Sequence, residues 1–195
     1  ILPELMQAQK NSYKIERFNV FGMGESFIQQ RISDEIKDWP EHIKLGYRAA
    51  KPFLQIKLNY CTSINETEVT HWRNKLISLL SAHIFSTSDN MSMSQQVQDL
   101  LIERDKTIST AESCTGGLIA SLITLNTGSS AVFEAGYITY SNEIKEKTLG
   151  VSQQTLMQKG AVSEAVVREM AEGALKKANS DYTIAVSGVA GPGGG

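Results

Sequence analysis

Cysteine is scarce in this chain: Cys61 and Cys114 are the only two among 195 residues. They lie far apart and form no CxxC pair, which excludes a disulfide scaffold and fits a reducing, cytoplasmic compartment. Histidine is also rare. His42, His71 and His83 have no HxxxH spacing, so no zinc site is expected. No apolar run approaches the ~20 residues of a membrane helix, and no signal peptide is visible. A large excess of one charge is missing too. A net charge of −2 is not that of a chain built to coat nucleic acid or an anionic membrane.

What remains is an ordinary globular composition, with 41% hydrophobic and 21% charged residues. The length suits one large domain or two small ones. Residues 86–95 carry four serines with Asn90 and Asp89 and read as a linker, which puts a domain boundary near residue 90. The chain begins at Ile1 and stops within Gly193–Gly195, so a fragment with material missing at both ends is expected.

The first half predicts strand, helix, two strands and helix, a small α+β unit. Ile15, Phe18, Val20 and Phe21 mark the first strand over 13–21. Ile28, Ile32 and Ile36 recur every four residues and mark one helix face. Strands are expected over 43–49 and 52–60. Ser63 and Glu66 have capping-box spacing ahead of a helix with Val69, Trp72, Leu76, Leu79 and Leu80 on one side.

The second half alternates strands with helices, as an α/β layered domain does. A helix turns Val97, Leu100 and Leu101 toward the core, and strands follow over 107–111, 137–140 and 181–187. Helices run from Leu118 to Leu125, up to Gly150, and from an N-cap at Ser163. The last one buries Val166, Val167, Met170, Ala171, Ala174, Leu175 and Ala178.

Three segments at strand ends carry candidate chemistry. In 111–117, AESCTGG, a strand enters and a helix leaves. Free amides at a helix start attract anions, and Ser113 and Thr115 add hydroxyls beside Gly116 and Gly117. A plain capped turn explains the same residues equally well. The segment has no G-K-S/T ending and is not a Walker loop. In 128–145, Gly128-Ser129-Ser130 precedes YITYSNEIK. A serine nucleophile needs a base, and no histidine follows His83, so a Ser-His-Asp triad is excluded from this half. Lys145 can serve if burial and the start of a helix capped by Ser141 lower its pKa, with Glu143 opposing. A solvated surface lysine is the competing reading. In 187–195 a strand runs into a glycine-rich loop that is not GxGxxG, and it either wraps a ligand or is a flexible turn.

Taken together, TAESCTGGLIASLIT at 110–124, GSS at 128–130, YITYSNEIKEKTLGV at 137–151, GAVSEAVVREMA at 160–171 and AVSGVAGPGGG at 185–195 resemble the C-terminal domain of the competence/damage-inducible CinA family, the nicotinamide-nucleotide amidases. The first half, with FGMGES at 21–26, is similar to the family's K-homology-like middle domain. The resemblance implies a connector at 1–12, a K-homology-like α+β domain at 13–88 and a C-terminally incomplete amidase domain at 89–195. It implies hydrolysis of nicotinamide mononucleotide (NMN) to nicotinate mononucleotide and ammonia, without metal or organic cofactor. It makes Ser130 the catalytic hydroxyl, Lys145 its base and Tyr140 an assistant. Ser113, Thr115, Gly116 and Gly117 would hold phosphate and ribose. Asn142, Ser187 and Gly188 would lie at the nicotinamide. A homodimer is expected. Thr127 and Ala135 depart from the family's usual proline and glycine, and the arginine-bearing tail lies beyond Gly195.

Two other readings stand beside the amidase. One is a nucleic-acid-binding or scaffold module built on the first half. Gly22-Met23-Gly24-Glu25 is not a GxxG clamp, and the acidic balance argues against it. The other makes the first half a spacer or dimerisation unit without chemistry.

Overall fold

The computed structural model describes residues 12–50, 53–88 and 92–191. The chain falls into two compact units, 1–93 and 94–195. The expected connector (1–12) lies outside the described residues except for Ser12. So do 89–91 in the expected linker and 192–195 in the glycine loop.

The first unit contains β1 (Tyr13–Val20), α1 (Glu25–Glu35), β2 (Lys44–Ala50), β3 (Phe53–Cys61), α2 (Glu66–Leu80) and β4 (Ile84–Ser86). Its antiparallel sheet has the order β2-β3-β1-β4. Alternation along β1 and β3 sends Phe18, Val20, Leu54, Ile56, Leu58 and Tyr60 to one face. There they meet Ile28 and Ile32 of α1 and Val69, Leu76 and Leu80 of α2. β4 was not legible in the sequence, since it is three residues long and pairs with β1 only at Asn19 and Val20. The cap of α2 differs from expectation: Asn65, not Ser63, accepts the Thr67 N–H at 2.9 Å. Ser63 instead contacts Cys61 Sγ at 3.0 Å.

The second unit contains α3 (Met93–Glu103), β5 (Ile108–Glu112), α4 (Leu118–Thr124), a 3-10 turn (Ser129–Ala131), β6 (Phe133–Ile138), α5 (Asn142–Leu149), α6 (Gln153–Lys159), α7 (Glu164–Ala178) and β7 (Tyr182–Val186). The three strands are parallel, in the order β6-β5-β7. Two apolar clusters separate, as an α/β layered unit requires. One gathers Ile108, Ile123, Val132 and Leu101 with Ile119 of α4. The other gathers Ala111, Leu149, Leu156, Val166, Met170 and Ala174, where α5, α6 and α7 pack. Ile108 and Ala111 differ in parity on β5, so the clusters lie on opposite sheet faces. Ser163 caps α7 as expected, accepting from Val166 N. Leu100 and Leu175 stay on the solvent side rather than in the core, each 37% exposed. β6 begins four residues before the expected start, and α6 had no strong apolar period to announce it.

Candidate active site

The site lies at the carboxyl ends of β5, β6 and β7, where parallel α/β sheets open a crevice. Lys145, the fourth residue of α5, enters it from the side. Ser141 caps α5 through the Ile144 N–H at 3.3 Å. The lysine side chain is only 1% exposed. Its Nζ lies 3.0 Å from Ser113 Oγ, 2.9 Å from the Thr139 carbonyl and 2.9 Å from the Tyr140 carbonyl.

That donor set has a chemical consequence. A neutral amine has two N–H bonds and one lone pair, whereas an ammonium has three N–H bonds and none. As an ammonium, Lys145 donates to all three oxygens; as a neutral amine it donates to the two carbonyls and turns its lone pair to the Ser113 hydroxyl. Burial pushes the Lys145 pKa below the ordinary lysine range, against a smaller opposing pull from Cys114. No carboxylate among the described residues pairs with Lys145. Glu143, on the same helix, turns to Lys147 instead.

Ser130 is not at this lysine: the expected Ser130–Lys145 pair does not form, and Ser113 takes that place. Ser130 sits in the 3-10 turn just ahead of β6 and is exposed. Val132, two residues on, accepts the N–H of Ile108 at the start of β5. Ser113 is five residues further along that strand. At about 3.3 Å per residue the two serines stand at opposite ends of the sheet, roughly 16 Å apart along β5. Strand register decides which hydroxyl meets the lysine, and the spacing of GSS in the sequence does not reveal it.

The anion reading of 111–117 is also revised. The amides at the start of α4 are taken by the protein's own Glu112. Its carboxylate accepts from Gly117 N at 3.1 Å, Ile119 N at 3.0 Å and Ala120 N at 2.8 Å. Burial works to raise its pKa, but the Ala120 and Ile119 amides lead the bonds that oppose it, and the carboxyl stays below its usual range. The Thr115 and Thr110 hydroxyls add to this from close by, without reaching hydrogen-bond geometry. Gly117, with φ of +99°, directs its amide at Glu112 and so has none for a phosphate. Glu112 was missed in the sequence. Its one signal was a carboxylate closing an otherwise uncharged strand.

The remaining candidates follow the ends of the same three strands. Tyr140 contributes its carbonyl to Lys145, while its side chain is 68% exposed. Asn142 opens α5 and is exposed. Thr115 and Gly116 form the turn after Ser113, closed by Gly116 N donating to Ser113 O. Ser187 is engaged elsewhere than at a ligand, donating to the Ala161 carbonyl at 2.8 Å. Gly188 backs onto Cys114, whose Sγ would lie 3.0 Å from any Cβ placed there. No group of His, Cys, Asp and Glu among the described residues is arranged to hold a metal ion. No helix among them is long and apolar enough to cross a membrane.

Residues 90–195 match the family model described as the CinA C-terminal domain. A CinA-like protein of Colwellia psychrerythraea is 46% identical over 183 residues, covering 93% of this chain and 42% of the relative. The nicotinamide-nucleotide amidohydrolase PncC of Escherichia coli is 56% identical over 108 residues, covering 55% of this chain and 66% of that protein. The crystal structure of the competence/damage inducible protein CihA from Agrobacterium tumefaciens superposes with a TM-score of 0.51 at 45% identity, over 52% of this chain and 62% of that one. The chain thus spans less than half the length of the Colwellia relative.

Proposed function

Because the chain belongs to the CinA C-terminal domain family, we propose that it is an amidohydrolase that converts NMN to nicotinate mononucleotide and ammonia in the cytoplasm, with Ser113 as nucleophile and Lys145 as base. The family relationship and the name of the PncC relative support an amidase acting on a nicotinamide nucleotide. The observation that carries the mechanism is the 3.0 Å approach of Lys145 Nζ to Ser113 Oγ, with the other two donor positions occupied by carbonyls.

A serine hydroxyl is a poor nucleophile until a neighbouring base takes its proton. Lys145, buried and without a carboxylate partner, is biased toward the neutral amine that such a base requires. Ser113 Oγ then attacks the carboxamide carbon as its proton passes to Nζ. The resulting ammonium returns that proton to the departing nitrogen, so ammonia leaves and an acyl ester remains on Ser113. Water, deprotonated by the same amine, cleaves the ester and restores the serine. Thr115, Gly116, Asn142 and Gly188 follow the strand ends beside the pair and would meet the nucleotide there, with the exposed Tyr140 ring close by in the chain.

Ammonia release from NMN tests the reading. Ser113→Ala is expected to lower kcat by about a thousandfold or more, and Ser130→Ala to leave it within about twofold. Undiminished turnover by Ser113→Ala would overturn the assignment.

A further inference from the structure

We propose that Glu112 is a positioning residue of this site, holding Ser113 and Lys145 in register from the opposite face of β5. The inference rests on the Ser113–Lys145 reading above.

Successive residues on a strand point to opposite faces. Glu112 therefore reaches toward α4, while Ser113 turns to α5 and its lysine. The Glu112 side chain is 1% exposed. Its two oxygens take three amides, those of Gly117, Ile119 and Ala120. Gly117 closes the bend that follows Ser113, so the carboxylate ties the far end of the Cys114–Gly117 turn, and the first turn of α4, to the end of β5. The same residue anchors the base through its main chain. The Glu112 carbonyl accepts the Thr139 N–H at 2.8 Å, and the Thr139 carbonyl in turn accepts from Lys145 Nζ. Nucleophile and base are thus referenced to one residue.

The second effect is electrostatic. A buried carboxylate against Lys145 would favour the ammonium, which cannot accept a proton. Sinking that charge into the positive end of α4 satisfies it at a distance from the amine. The start of α4 is filled by the same act, so the phosphate of a nucleotide substrate must be held by other groups.

The test uses the full chain, wild type, Glu112→Gln, Glu112→Asp and Ser113→Ala, with a fluorophosphonate probe that reacts with an activated serine hydroxyl. Mass spectrometry reads the rate of adduct formation at Ser113, thermal melts report folding, and NMN turnover is measured in parallel. Gln has the same length but no charge, and its amide group opposes one of the three donors. Folded Glu112→Gln is expected to label about tenfold more slowly or worse, with kcat for NMN lowered by a similar factor and KM within about twofold. Glu112→Asp keeps the charge with a shorter reach and should recover part of the loss. Labelling of folded Glu112→Gln within twofold of wild type would overturn the proposal. Should Glu112→Gln fail to fold, folded Glu112→Asp decides: slowed labelling supports the proposal and wild-type labelling overturns it. A wild type that labels at Ser113 yet releases no ammonia from NMN sinks the substrate assignment alone. A wild type that neither labels nor turns over sinks both.

Discussion

Lys145 Nζ stands 3.0 Å from Ser113 Oγ, joining residues 32 positions apart across the end of a parallel sheet. Burial and two carbonyls just past the end of β6 surround the lysine, a serine caps its helix, and the Glu112 carboxylate faces the other way.

The first prediction concerns the lysine's ionisation. Burial lowers its pKa, so the acid limb of the kcat/KM profile for NMN should fall below the ~10.4 of a free lysine. Lys145→Met should lower kcat by about a thousandfold, within the range for removing a general base. Stability carries the same signature. Between the lowered folded value and the ordinary 10.5, the unfolded chain binds a proton that the folded chain does not. The free energy of unfolding therefore rises with pH across that window. Urea melts of wild type and Lys145→Met at several alkaline pH values should differ in slope there. Equal slopes would contradict a depressed amine.

Glu112 gives the opposite test, on the acid side. Its folded carboxyl is held below the ordinary 4.5, so its contribution is fully present above that value and is lost as pH falls through the folded pKa. Losing a charged acceptor of three buried amides should cost Glu112→Gln about 2–4 kcal/mol at pH 7, given ~1.5–3 kcal/mol for each charge-assisted bond and partial replacement by the amide oxygen. The gap should shrink in melts taken well below pH 4. A gap that stays constant with pH would show that the carboxylate is not the form that matters.

The contrast between these two residues shows what the sequence could and could not reveal. Lys145 was legible as a candidate base, beside the reading of a solvated surface lysine, because a serine cap, a helix start and the absence of histidine all point to it. Its partner was not. Ser113 and Ser130 each follow a plausible motif, and only the pairing of Ile108 with the start of β6 and Glu112 with its end puts them at opposite ends of the sheet. Glu112 read as one acidic residue closing a strand. Its burial depends on α4 folding back over β5, a tertiary event without a local pattern. The amphipathic face of α7 was readable through Val166, Met170 and Ala174 because helix period alone sets it. β4 and α6 escaped because each is too short to establish a period.

Gly173 supplies the third prediction. A Cβ at this position of α7 would lie 1.9 Å from the Leu149 carbonyl oxygen and 3.0 Å from Leu149 Cα. Both are backbone atoms at the end of α5, so neither can swing aside. Gly173→Ala must push α7 away from the helix that carries Lys145. The cost is expected at about 3 kcal/mol, the upper part of the usual overpacking range, and the displacement should lower NMN turnover in the fraction that still folds. Thermal melts and ammonia release read the two effects. A fully stable, fully active variant would mean that the two helices do not meet at this point.

The last prediction lies in the first unit, where Glu16, Arg73 and Tyr60 form a half-buried network. Arg73 donates to both Glu16 oxygens, and Tyr60 donates to one of them. The Arg73 bond is the main reason the Glu16 carboxyl stays below its usual pKa. Burial, and then the bond to Glu16, push the Tyr60 phenol up to about 12. The folded protein thus keeps a proton on Tyr60 that the unfolded chain loses near pH 10. Stability from this group is complete below pH 10 and drains away as pH climbs toward 12. An ultraviolet titration of the native protein should show one of its six tyrosines ionising last, and Tyr60→Phe should delete that step. Arg73→Met leaves Glu16 with the phenol as its remaining close donor in this network. It should raise the Glu16 pKa and cost about 1–3 kcal/mol, less than the ~3–5 kcal/mol of a fully buried broken pair because water reaches both groups. Complete tyrosinate absorbance by pH 11 with the fold intact would show that Tyr60 is not held this way.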